Sequence, residues 1–215
     1  VTVAREVFFC VDVEASGPVP ALFNLVSIGA VPVSRREGAW KVEEARFYVE
    51  LQPIAPGFDA GAMKIHGITR EHLEAHGVPA DEAMRRLAAF VTDRVTSGGG
   101  RAVFVGHNAV FDWSYINWYF ERFGIVNPFG YKALDSKSLA MGRLGIGWFE
   151  TNKDYLETVL GLPPQDKAQT HRADYDAHYQ ALILCALLNR PPARIAPPEG
   201  TTGSGGSRAP QPEGP

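Results

Sequence analysis

Through the first third of the chain, apolar residues come in short β-branched and aromatic runs broken by Gly and Pro; from residue 80 onwards many recur at helical spacing. The first regime predicts strands over 7–13, 22–33 and 40–51. VFFCVDV is apolar on both faces, which suits a central strand better than an edge. In the second regime Met84, Leu87, Ala88, Val91 and Val95 share one helical face, and Gly98-Gly99-Gly100 ends that helix. A short strand over 102–105, a helix over 111–123, a strand over 131–134, a helix capped by Asp135 and a last helix over 172–188 follow. Strands first, then helices alternating with strands, indicate an α/β domain with a mixed sheet.

Composition narrows the class. The chain has 215 residues, 45% hydrophobic and 21% charged, with a net charge of −3. That supports one sizeable core and excludes a disordered or collagenous chain. It also argues against a generally basic nucleic-acid coat, so any contact with an anionic partner must be local. Cys10 and Cys185 sit in apolar runs and are expected to be buried side chains, not a disulfide framework or a metal site. No run approaches the ~18 uninterrupted apolar residues of a membrane span, and Asp12 and Glu14 interrupt the N-terminal run too early for a signal peptide. A cytoplasmic protein with no membrane partner is the expectation. Residues 191–215 hold seven Pro and five Gly, too little apolar surface to offset ordering entropy. We therefore expect a domain over 1–190 and a flexible Pro/Gly-rich tail over 191–215, with a linker or a docking peptide as the other reading of that segment.

Strand alternation puts Asp12 and Glu14 on one face, about 7 Å apart. Two carboxylates at the end of a central strand are costly unless a cation lies between them, and Mg²⁺ or Mn²⁺ takes oxygen ligands. Acid pairs at this spacing also arise by chance on surfaces, so the pair alone does not decide. In GHNAVFDWSYINWYF, Asp112 shares a helical stripe with Ile116, Tyr119, Phe120 and Phe123. A favourable interaction with the helix dipole accounts for any first-turn Asp; it does not account for an acid on the apolar face. The last helix repeats the pattern with Asp176, Gln180, Ile183 and Leu187, while His171 lies just ahead of its start in HRADYDA. Asp174 points about 200° away from Asp176 and is the poorer ligand. A His at a helix start is more often a cap or a surface residue, but four acids from a strand and two helices suit two metal ions, with a neutral imidazole taking the proton of a water. His72 and His76 lack the glutamate of a HExxH zinc site, and Gly98–Gly100 lacks the Lys-Ser/Thr of a phosphate loop.

Taken together, DVE at 12–14, HNAVFD ending at Asp112 and HRADYD from His171 to Asp176 resemble the DEDDh exonuclease family, in that family's order and over nearly all of the chain ahead of the tail. IHGI at 65–68 is similar to a segment shared by the ribonuclease T and polymerase-proofreading branches, and NPFGYKALDS at 127–136 leans towards the former. The resemblance implies a ribonuclease-H-like fold, a mixed five-stranded β-sheet flanked by α-helices. It implies that Asp12, Glu14 and Asp176 ligate one metal, that Asp12 reaches a second, that Asp112 acts largely through bound water, and that His171 is the general base. The implied cofactors are two divalent ions, Mg²⁺ or Mn²⁺. The implied substrate is the 3′ end of single-stranded RNA or DNA, RNA slightly favoured, cut one nucleotide at a time with release of nucleoside 5′-monophosphates.

On that reading Ala15, Ser16 and Gly17 approach the terminal sugar, Asn108 joins the substrate-binding set, and Phe23 and Phe111 either pack on terminal bases or are plain core. The family's common DxETT form is replaced here by Ala15-Ser16 after the acids, which leaves the carboxylates intact and sugar discrimination open. Two rivals remain: a proofreading subunit of a DNA polymerase, and a non-catalytic nucleic-acid-binding module on the same fold. The second predicts erosion of the acid set, and all five positions are filled. A homodimer, and a protein partner docked on the tail, are compatible with either.

Overall fold

The computed structural model describes residues 5–191; nearly all of the expected tail lies outside the described residues. Strand β1 (Arg5–Ala15) is central, antiparallel to β2 (Leu25–Arg36) on one side and parallel to β5 (Gly100–Gly106) on the other. β6 (Ala133–Asp135) pairs in parallel with β5. The expected strand over 40–51 is two pieces, β3 (Ala39–Val42) and β4 (Phe47–Glu50), both antiparallel to β2. The sheet order is β3-β2-β1-β5-β6 with β4 also on β2, so six strands fill the five positions anticipated. Pro32 accounts for the split. Its carbonyl accepts the Glu43 N–H at 2.9 Å, so its own nitrogen, which carries no hydrogen, faces the same edge. The gap falls between the stretch of β2 that binds β4 and the stretch that binds β3.

Helices cover both faces. α3 (Ala80–Gly98) and α4 (Ala109–Arg122) pack on the face that carries Phe9, Val11 and Val13, through Met84, Leu87, Val91, Tyr115, Ile116 and Tyr119. α7 (Ala173–Asn189) covers the opposite face, where Ala177, Ala181 and Leu184 meet Phe8 and Cys10. α5 (Ser136–Leu144) and α6 (Lys153–Leu160) pack on α7, with Ala140 and Leu156 against Ile183 and Leu187. Two seven-residue helices, α1 (Ala60–His66) and α2 (Arg70–His76), lie in the chain between β4 and α3. Both thiols are free: Cys10 is buried under α7 and Cys185 sits at the border of the same layer. Among the described residues no helix is long and apolar enough to cross a membrane.

Candidate active site

Since Phe8 and Cys10 face α7, period two puts Asp12 and Glu14 on that face too, beyond the end of the apolar run. Their cross-strand partners on β2 are Gly29 and Ser27. Gly29 admits α7: a Cβ built there would stand 2.1 Å from the Ala173 carbonyl oxygen. The first turn of α7 therefore rests directly on the sheet. Gln180, one turn beyond Asp176, donates from Nε2 to Asp12 Oδ1 at 2.6 Å. His171 precedes the helix in the left-handed region, φ 66°, and its backbone N–H donates to Asp176 Oδ2 at 2.7 Å. The ligand atoms of Glu14, His171 and Asp176 lie within 4.8 Å of one another.

Asp112 arrives from the other face. The β1–β5 pairing runs as far as Cys10↔Val105, and β1 continues with that side free of the ladder. The Val13 N–H there donates to Asp112 Oδ1 at 3.0 Å, so a backbone donor that the sheet leaves over is satisfied by the acid. This contact supplies the reason, missing from the sequence pattern, for an acid on the apolar stripe of α4. The helix starts directly after β5 through Asn108 at φ 75°, a conformation Asn tolerates better than most residues.

Glu14, Asp112 and Asp176 are 9%, 5% and 4% exposed, and Asp12 is half-buried. Burial, reinforced by the charges of Asp12 and Asp176, pushes Glu14 up to about 9. Burial also lifts Asp12 to about 7, although Lys153 pulls it down, and raises Asp112 well above the carboxylate range. Acids that resist ionising together mark a site short of positive charge. Lys153, the first residue of α6, supplies part of that charge through an ion pair with Asp176 Oδ1. His107 is held down to about 4, first by burial and then by Lys153 and Lys137, so its ring is neutral, with Nδ1 2.9 Å from Ser136 Oγ. Asp12, Glu14, Asp112 and Asp176 with the His171 imidazole, and Lys153 paired to one of the acids, are a donor set that fits hard divalent cations.

The five expected catalytic residues, together with Asn108, Phe111, His107 and Lys153, line one cavity of about 500 Å³. A second, apolar cleft of about 560 Å³, walled by Ala15, Gly17, Ile65 and Phe111, meets the first at Glu14. Ser16 lies elsewhere: its fully buried hydroxyl donates to the Gly57 carbonyl at 2.7 Å and accepts the Asn24 N–H at 2.8 Å. Phe23 packs on Gly17, where a Cβ would meet its ring at 2.2 Å, and lines neither space. Of the two aromatic rings singled out in the sequence, then, Phe111 is on the cavity wall and Phe23 is behind it. Gln180, Lys153 and His107 were not expected. Gln180 carried a signal, four residues after Asp176 on the same stripe, and His107 opens the HNAVFD motif; Lys153 carried none, because only the packing of α6 brings it to the acids.

Residues 9–184 match the family model RNase_T, described as an exonuclease. A 3′-5′ DNA exonuclease of Escherichia coli, Cap18, is 36% identical over 180 residues, which cover 84% of this chain and 90% of that protein. Ribonuclease T of Escherichia coli (strain K12) is 27% identical over 190 residues, covering 84% and 83%. Among solved structures, the nuclease domain of 3′hExo, a DEDDh family member bound to rAMP, superposes with a TM-score of 0.70 over 86% of this chain and 92% of that one at 13% identity, a likeness of fold.

Proposed function

The chain belongs to the DEDDh exonuclease family and is a 3′-5′ exonuclease, and from that premise we propose that it trims the 3′ ends of single strands and releases nucleoside 5′-monophosphates from a site formed by Asp12, Glu14, Asp112, His171 and Asp176. The observation that carries this reading is the convergence of those five side chains on one cavity. Asp12, Glu14 and Asp176 would hold Mg²⁺ or Mn²⁺ from the α7 face, and Asp112 would complete the acid set from the α4 side. When bound, the metal stabilises charge on the phosphoryl oxygens and makes water a better nucleophile. The His171 ring accepts the proton of the attacking water. Water oxygen bonds to phosphorus, the P–O3′ bond breaks, the leaving O3′ takes a proton from solvent water, and the shortened strand leaves with a 3′-hydroxyl.

The apolar cleft of Ala15, Gly17, Ile65 and Phe111 receives the terminal nucleoside, with Phe111 stacking on a base. No side-chain hydroxyl of residues 15–17 is free to read a 2′-hydroxyl, since Ser16 is committed inside the fold. That feature and the greater identity to Cap18 than to ribonuclease T favour DNA and outweigh the RNA preference expected from residues 127–136. In Mg²⁺ or Mn²⁺ the protein should shorten a 5′-labelled DNA strand in one-nucleotide steps, faster than a matched RNA, and stop on chelation. Asp176→Asn should slow it at least roughly 100-fold, because even outer-shell partners of a metal cost 10–100-fold. Strands left intact in both metals would overturn the reading; faster loss of RNA would reverse the sugar preference alone.

A further inference from the structure

Beside the catalytic cavity the molecule exposes two consecutive aromatic rings. Phe149 is 91% exposed and Trp148 39%, both on the 3-10 turn Trp148–Thr151. The turn is fixed at both ends. Glu150 Oε2 accepts the Gly147 N–H at 2.8 Å and Thr151 Oγ1 donates to the Trp148 carbonyl at 2.6 Å. Asn152 Nδ2 donates to the Phe149 carbonyl at 3.0 Å, while its Oδ1 accepts the Tyr155 N–H and caps α6. The rings are thus pre-placed on a tied backbone, which lowers the ordering cost of binding. Two links join the turn to the cavity. Asn152 and Lys153, next in the chain, line the cavity themselves. Lys137, whose neighbour Ser136 bonds His107, holds its ammonium 4.2 Å from the centroid of the Trp148 ring.

We propose that Trp148 and Phe149 form a stacking platform for the bases of the strand upstream of the scissile phosphate, with Lys137 meeting its phosphate backbone. The platform rests on the single-strand reading given above and extends it past the terminal nucleotide. Unpaired bases offer a π-face whatever their identity, so two open rings suit a strand degraded without regard to sequence. A cation set against an aromatic ring matches the alternation of phosphate and base along a strand. Continuity with the catalytic cavity selects this occupant over another protein surface.

The effect should then depend on strand length, because a dinucleotide is taken up by the catalytic cavity and the apolar cleft and leaves no base for the turn. In a His171→Ala background, which removes the proposed base and keeps all four acids, fluorescence anisotropy in Mg²⁺ compares labelled dT2 with dT10. Adding W148A and F149A should weaken dT10 binding at least tenfold and leave dT2 unchanged, while W148F with F149Y should restore dT10. Unchanged dT10 affinity in the alanine variant, or an equal loss on both strands, would overturn the platform. Loss of a dimer in sedimentation with dT10 affinity intact would assign the rings to a second copy and overturn it equally. A His171→Ala protein that binds neither strand would overturn the single-strand reading, and the platform with it.

Discussion

At Lys153, the ammonium that pairs with Asp176 has 22% of its side chain exposed against 6% for its partner. Replacing Lys153 by Met leaves the acids without their nearest cation, and breaking a pair this sheltered costs about 1–3 kcal/mol. A divalent ion supplies the same charge and, binding the folded state, stabilises it. The expected result is a lower urea midpoint for K153M in chelator and a gap that narrows in saturating Mn²⁺; a gap of equal size in both conditions would contradict the role. The acids were legible in the sequence because each disturbs a pattern: Asp12 interrupts VFFCVDV, and Asp112 and Asp176 head apolar stripes. Lys153 disturbs nothing, since a lysine at the start of a short helix is unremarkable until the tertiary fold packs that helix on α7 and brings it to Asp176. Ser16 shows the converse failure. Its neighbours suggested a sugar contact, and the hydrogen bonds that turn it inward come from Asn24 and Gly57, far enough along the chain to leave no local trace.

Among elements, the placement of α7 on β2 decides whether Asp176 reaches Asp12. Gly29→Ala puts a methyl 2.1 Å from a backbone carbonyl oxygen, so the start of α7 must move. Overpacking of this kind costs roughly 1–3 kcal/mol, and here it also displaces Asp176, a proposed metal ligand. Calorimetric titration with Mn²⁺ should show at least a tenfold weaker affinity for a folded G29A protein; an affinity equal to the parent's would show that this contact does not position α7. The elements most legible in the sequence were the long ones, β1, β2, α3, α4 and α7, where periodicity has room to repeat. α1, α2 and α6 were not, being seven or eight residues long. Helices that short are set by their caps, Asp59, Thr69 and Asn152, and by tertiary packing more than by propensity. The division of β3 from β4 was equally hidden, because its cause, Pro32, lies on the partner strand.

For the whole molecule, a net charge of −3 and five acids against two lysines in the cavity oppose a polyanionic substrate. Bound divalent ions invert the local sign. Strand binding should therefore require metal. With the His171→Ala protein, anisotropy on dT10 should weaken at least tenfold in chelator and recover on adding Mg²⁺, whereas undiminished binding in chelator would place the dominant phosphate contacts on basic side chains away from the cavity.

β1 sends Val7, Phe9, Val11 and Val13 into the aromatic layer, and Asp12 and Glu14 to the opposite face, so the site depends on parity as much as on chemistry. One residue gained or lost between Cys10 and Asp12 would turn both carboxylates toward Tyr115 and Phe120 while barely altering the strand's hydropathy. Length changes at the mostly exposed residues 18–22 leave that parity untouched. The boundary between forbidden and permitted insertion therefore falls within a few residues of Ala15, and reading frame along a single strand, more than the identity of any one core side chain, guards the catalytic centre.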